Sequence, residues 1–261
     1  MSSNSNRYRV RAVDRALDLL ATFSISEPEF TLTELASRRG LSPSTTYRLL
    51  VTLESHGYIE RSNQTGGYSL GVACLDLGNV FLSQLDLREQ ALRVMEALRE
   101  ECKETVHLGI LDGSRMEVIY LEKLEGLLPV AMRGSRVGGR VPAHCTALGK
   151  CMLAYLAEGV VRDFYTREGL PSHTPNTITD LNELLRELKE TSRKGLAIDD
   201  IEHEVSVRCV AAPVWNHKKA VVGAISVSGP ANRMSKERCL ELGPLIRDTV
   251  LEVSRRMGYR G

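Results

Sequence analysis

The sequence predicts an α+β chain of two domains with a linker helix between them, over residues 1–71, 72–85 and 86–261. Three observations carry this reading. The first 71 residues hold three short helical patterns followed by two alternating runs around "SNQTG". Residues 72–102 keep a helical pattern, and beyond Cys102 strand-like and helix-like runs alternate. A chain of 261 residues with 43% hydrophobic and 26% charged side chains has the balance of a soluble globular protein and the length for two ordinary domains.

In the first domain, "VDRALDLLATFS" places Val13, Ala16, Leu17, Leu20 and Phe23 on one helical face, and "EPEF" breaks the pattern. "TLTELASRRG" is a short helix. Thr31 or Thr33 caps it, Leu32, Leu35 and Ala36 face inward, and Gly40 ends it. In "GLSPSTTYRLL", Ser42 is an N-cap and Pro43 takes the first helical position, where a missing N–H costs nothing. Leu49, Leu50 and Leu53 form the packing stripe, and Gly57 stops the helix. Ser44, Thr45 and Arg48 fall on the outer side and Thr46 on the inner. Ile59 and Arg61, then Tyr68 and Leu70, alternate with their neighbours on either side of the turn and read as a hairpin. Three helices and a hairpin in this order outline a winged helix-turn-helix.

A helix that packs with its back and enters a major groove with its leading edge needs this distribution. Short hydroxyl side chains donate and accept without blocking approach, and a helix N-terminus favours phosphate. The expected contacts with double-stranded DNA are Ser42, Pro43, Ser44, Thr45, Tyr47 and Arg48 on the helix and Arg61 and Thr65 on the hairpin. Arg9 joins them from a basic arm shared with Arg7 and Arg11. A capped surface helix explains the Ser-Pro start taken alone; the order of helix, glycine turn, capped helix and hairpin favours DNA. The first 71 residues set eight arginines against seven acids and contain no lysine. A nearly neutral monomer binds DNA weakly, so the expectation is a dimer on a palindromic operator.

The bulk numbers exclude other classes. A net charge of +1 makes the chain no polycation, and 5% aromatics argue against a stacking platform for single strands. No apolar run approaches the length of a membrane span, and "MSSNSNRYRVR" lacks the apolar core of a secretory signal, so the expected compartment is the cytoplasm. The six cysteines are scattered without a CxxC pair and are expected to be thiols.

In the second domain, "LREQALRVMEALREEC" is an amphipathic helix with Leu87, Ala91, Val94, Met95 and Leu98 on one side. "ETVHLGILDGSRMEVIYLEKLEG" gives two strands around an Asp-Gly turn, and "LLPVAMRGSRVGGRV" a strand and a glycine-rich loop. "TALGKCMLAYLAEG" and "DLNELLRELKETSRKG" are helices, "CVAAPVWNHKKAVVGAISVSGP" is a hairpin, and "KERCLELGPLIRDTVLEVSRRMG" is a closing helix. "AHCTALGKC" raises three chemistries that fail. A phosphate loop requires a glycine in place of His144 and a hydroxyl in place of Cys151. A Cys145–His144 nucleophile asks sequence neighbours to point at each other and lacks a third group. Neither Cys145 with Cys151 nor His203 with Glu202 and Glu204 has metal-ligand spacing. No catalytic residue, cofactor or metal is therefore expected. A ligand site asks less: Thr146 caps a helix, Ser226 and Ser228 share one strand face, and Cys209 lies on the partner strand. The competing reading is a small-molecule enzyme on the second domain with the first as accessory.

"VDRALDLLATF", "TLTELASRRGLSPSTTYRLLVTLESHGYIER" and "YSLG" resemble the DNA-binding domain of IclR-type bacterial transcriptional regulators. "VPAHCTALGKCMLAYL" and "GLAIDDIEHEVSVRCVAAPVWNHKKAVVGAISVSGP" resemble that family's effector-binding domain, so the likeness runs over nearly the whole chain. The resemblance implies a GAF-like α/β effector domain and a ligand-responsive, sequence-specific repressor that works as a dimer or a dimer of dimers. It implies a small organic acid held by Ala147, Leu148, Asp199, Cys209, Ser226 and Ser228 near His144. Ser206 departs from a position where the family often has glycine, and Ile201 from one where an acid is common.

Overall fold

The computed structural model describes residues 9–24, 26–83, 86–127 and 135–260. Arg7 of the expected arm and most of the strand expected in "LLPVAMRGSRVGGRV" lie outside the described residues. The chain divides into two compact units, Met1–Gln84 and Leu85–Gly261. Among the described residues no helix is long and apolar enough to cross a membrane.

The first unit is built from α1 (Arg11–Leu20), β1 (Glu29–Phe30), α2 (Leu32–Arg39), α3 (Pro43–Ser55), β2 (Ile59–Arg61), β3 (Tyr68–Leu70) and α4 (Ala73–Ser83). Local chemistry sets the helix ends. Thr31 and Glu34 form a reciprocal capping box at α2, and the Ser42 hydroxyl accepts from the Thr45 amide at α3, with Pro43 directly after it. Between the two helices Gly40 turns the chain at φ 61°, a conformation glycine adopts without strain. Leu19, Phe30, Leu35, Leu50, Leu53, Ile59 and Tyr68 make one core. The antiparallel sheet has the order β1-β3-β2, so "EPEF" breaks a helix and also supplies a third strand through Phe30, which pairs with Tyr68.

One expected face is corrected. Val13 is 54% and Leu17 59% exposed, whereas Leu19 is fully buried with Ala16, Leu20 and Phe23 packed around its core. Val13 and Leu17 lie one turn apart on a neighbouring stripe, and hydrophobic periodicity does not distinguish a stripe facing the domain from one beside it.

The second unit contains α5 (Asp86–Cys102), β4 (Thr105–Asp112), β5 (Glu117–Leu124), β6 (Arg140–Pro142), α6 (Ala147–Leu153), α7 (Glu158–Glu168), α8 (Leu181–Lys194), β7 (Ala197–Asp200), β8 (Val207–Trp215), β9 (Val221–Pro230) and α9 (Lys236–Arg256). Its six strands lie in the order β6-β5-β4-β9-β8-β7, and every neighbouring pair is antiparallel. The pleat sends alternate residues to opposite faces. Val210, Ala212, Val214, Ile225 and Val227 join the core with α5 and α9, while Ala211 and Ala224 join the core with α6, α7 and α8. Helices thus cover both faces of the sheet. The short β6 and β7 and the helix α7 escaped the sequence reading.

Helix α6 sits close to the chain that leads into it. A Cβ on Gly149 would fall 2.2 Å from the Ala143 carbonyl oxygen and 2.3 Å from its Cα, so this glycine serves close backbone approach. Gly149→Ala is expected to destabilise the second unit by about 1–3 kcal/mol, the cost typical of overpacking. Urea unfolding followed by fluorescence of Trp215, the single tryptophan, should show a lowered midpoint; an unchanged midpoint contradicts the close contact.

Candidate functional site

The first candidate site is the outer face of α3. Leu50 and Leu53 are buried on its inner side together with Thr46, whose hydroxyl donates to the Ser42 carbonyl at 3.1 Å. Ser42, Pro43, Ser44, Tyr47 and Arg48 are exposed, as the sequence led one to expect. Thr45 is half-buried, and the Ser42 hydroxyl donates to its Oγ1 at 2.9 Å, so this pair serves the cap as well as the surface. Arg48 lines a cleft between α1 and α3 with Arg11, Arg15, Thr45 and Thr52. Among the described residues no acid pairs with Arg11, Arg15 or Arg48, and three guanidinium groups on one cleft suit phosphate.

Three expected contacts have other partners. Arg9 donates to Asp14 at 3.1 Å. The Thr65 hydroxyl donates to the Glu29 carboxylate. Arg61 lies 5.6 Å from the Tyr68 ring centre. Arg38 and Arg39 are also engaged, with Glu27 and the Thr22 hydroxyl. Sequence reading missed Arg15, because its distance from α3 along the chain hides their convergence.

The second candidate site is a cavity on the α6 face of the larger sheet, about 30 Å³ in volume. Four neighbouring strands build its wall in register: His107 on β4 faces Ser226 on β9, Ser228 faces Cys209 on β8, and Cys209 faces Asp199 on β7. Thr146, Ala147 and Leu148 line it from the start of α6, where the Thr146 hydroxyl accepts from the Gly149 amide. Six of the seven residues expected around an effector thus meet at one cavity. The seventh, His144, does not line it: its Nε2 donates to the Pro171 carbonyl at 3.0 Å, and its ring packs against Tyr165 and His173. The side chain of a turn residue is aimed by its backbone, and here it is aimed away from the sheet.

His107, Tyr120, Ser135, His203, Glu204 and Val207 complete the lining; the sequence pointed to none of them as effector contacts, and to His203 and Glu204 only as a rejected metal set. The signal for His107 was one imidazole inside the apolar run "TVHLGIL". Its Nε2 lies 2.6 Å from the Ser135 hydroxyl and its Nδ1 3.4 Å from that of Ser228. Burial, with Lys123 nearby, lowers its pKa to about 3, so the ring is neutral. Among the described residues no arginine or lysine lines the cavity. Burial pushes the Asp199 carboxyl up to about 7 against the stabilising amide of Glu202, which donates to it at 2.7 Å. Near neutral pH a proton on Asp199 therefore lets this side chain donate to an anion.

The loop after β7 is held from outside. Thr174 and Thr177 donate their hydroxyls to the carbonyls of Ile201 and Glu202, each at 2.6 Å. Ile201 and Ser206 adopt φ of 61° and 70°. Ser206 thus keeps a left-handed backbone without the freedom of the glycine common at this position in the family it resembles.

Comparison with known proteins gives the same pattern. A model of the bacterial transcriptional regulator IclR C-terminal region matches residues 79–255, and one of the IclR helix-turn-helix domain matches residues 12–63. The chain is 36% identical to the HTH-type transcriptional regulator XynR of Escherichia coli K12, over 96% of this chain and 98% of that protein. It is 32% identical to the transcriptional repressor IclR of the same organism, over 97% and 91%. The solved structure of Thermotoga maritima IclR is similar with a TM-score of 0.75 at 29% identity, over 96% of this chain and all of that one. An IclR homolog of Microbacterium hydrocarbonoxydans complexed with 4-hydroxybenzoate reaches 0.83 at 25% identity, over 95% and 99%.

The Asp199 carboxyl gives a pH test. It ionises near 3.8 when exposed and near 7 when folded, so its protonated form favours the native state. That contribution is complete below the unfolded value and is lost as pH rises through about 7. Asp199→Asn keeps an acceptor for the Glu202 amide and removes the charge. Thermal melts should show it more stable than the parent at pH 8 and unchanged at pH 4; an equal shift at both values rules out the titration.

Proposed function

The chain belongs to the IclR family of bacterial transcriptional regulators, and from that premise we propose how its two units divide the work. It is a ligand-responsive DNA-binding regulator and not an enzyme. The first unit, with α4 as its linker helix, reads a duplex operator, and the second unit senses a small organic acid. The observation that carries this division is chemical: three arginines that meet no acid among the described residues and a hydroxyl-rich helix edge lie in one unit, and a cavity lined by hydroxyls, a carboxyl and imidazoles in the other.

On the DNA side, Ser44, Tyr47 and Arg48 enter the major groove, while Arg11 and Arg15 hold the flanking phosphates. Ser42, Pro43 and Thr45 fix the start of the helix and approach the backbone with their exposed atoms. Arg61, Thr65 and Arg9 contribute from the rim once their present partners are exchanged for phosphate. Val13 and Leu17 on α1 and Leu75 and Leu77 on α4 expose apolar surface, which supports a homodimer or a dimer of dimers on a two-fold operator.

On the effector side, a carboxylate accepts from the Ser226 and Ser228 hydroxyls and from protonated Asp199, with Cys209, Ala147 and Leu148 shaping the wall and His144 supporting from outside it. At about 30 Å³ the cavity has to widen to admit an acid of sugar or aromatic size. The 4-hydroxybenzoate held by the Microbacterium homolog supports an acid, and the E. coli relative named as a repressor supports repression. The effector acts by binding one spacing of the two recognition helices better than another. An operator as partner supports a cytoplasmic site of action.

Two variants test the division. Arg48→Ala should weaken binding to the protein's own upstream DNA by about 1–3 kcal/mol and lower the salt slope by about one, while acid-induced thermal shifts persist. Ser226→Ala with Ser228→Ala should abolish the thermal shift given by the parent's best ligand from a screen of sugar and aromatic acids, while DNA binding persists. Loss of both activities in both variants contradicts the division.

A further inference from the structure

We infer that His144, Cys145 and His173 form a binding site for one zinc-type divalent ion. His144 and Cys145 stand in the turn between β6 and α6, and His173 in the segment between α7 and α8. The donor atoms of the three lie within 4.8 Å of one another. A tetrahedral zinc ion with nitrogen and sulfur ligands holds its donors about 3.4 Å apart, so the set closes by about 1 Å on loading. The first two side chains are buried and the third is exposed, which leaves the closing movement to the His173 side chain.

The surroundings suit ligation. The Pro171 carbonyl can only accept, so His144 carries its proton on Nε2 and keeps a lone pair on Nδ1. A ring nitrogen fixed in this way by a backbone carbonyl is the usual support of a metal-bound imidazole. The His173 amide donates to the Thr177 hydroxyl at 3.0 Å, so the turn that presents His173 is itself anchored. Burial holds the Cys145 thiol well above its ordinary value, so this side chain is a thiol until a cation replaces its proton, which leaves to solvent. Two imidazoles and a thiolate select zinc and its neighbours over magnesium and calcium, which prefer oxygen ligands.

The site adjoins the effector cavity without belonging to it. Thr146 and Ala147, the next residues after Cys145, line the cavity, as does His203, whose ring centre lies 5.4 Å from that of His173. A bound ion would therefore tie the start of α6 to the 171–177 segment beside the ligand.

The test uses the full chain after chelator treatment, titrated with Zn²⁺ against a chromophoric chelator and, separately, with Co²⁺. One equivalent should bind. The cobalt form should show a thiolate-to-metal charge-transfer band in the near ultraviolet, absent in Cys145→Ser. His173→Ala should weaken Zn²⁺ at least about tenfold, and Mg²⁺ should not compete. His173 is exposed, so metal-free melts of that variant should match the parent, and it carries the test alone if Cys145→Ser fails to fold. Absence of binding, or binding that His173→Ala leaves unchanged, overturns the assignment.

Discussion

An ammonium group taken fully out of water is expensive unless carboxylates meet it, and the second unit is arranged around one. Lys150 on α6 is completely buried. Its Nζ lies 2.5 Å from Glu202 in the loop after β7 and 3.3 Å from Glu187 on α8. Burial alone would favour the neutral amine; the two carboxylates outweigh it and keep the charge. The interaction joins three segments that are distant along the chain. Two of them, α6 and the 201–206 loop, bear on the cavity wall. The lysine of "LGK" is thus a fastening behind the site, which explains why a motif that looks like a phosphate loop contains no phosphate chemistry.

With α6 fixed, the pleat of the sheet does the rest. One face of β8 and β9 is aliphatic and packs on α5 and α9; the other brings Cys209, Ser226 and Ser228 under α6. The register then places His107 and Asp199 on the flanking strands. Among the described residues the cavity wall holds donors and acceptors but no lysine or arginine, and one of its carboxyls is poised near neutrality.

Local signals in the sequence were the legible ones. The capping threonine and serine, Pro43, Gly40 and the leucines of α3 act within one or two turns of chain, and the winged head follows from them. Six cavity residues were legible through likeness to a family. The phase of α1 was not, because Leu17 and Leu19 are equally apolar and only the packing of the whole head decides between them. His107 was hidden because one imidazole in a buried strand looks like core. The fate of Arg9 and Thr65 depended on Asp14 and Glu29, partners that spacing does not reveal. His144 was placed with its neighbours in the motif, although its side chain turns toward a segment some thirty residues on.

The arginine cleft of the head has one more consequence. The first lysine of the chain is Lys103, so every permanently charged side-chain cation in the DNA-reading unit is a guanidinium. Acyl groups that neutralise amines on other DNA-binding proteins find no side-chain target there, and no physiological pH discharges an arginine. A contact that these arginines make with phosphate would be insensitive to the acylation state of the cell.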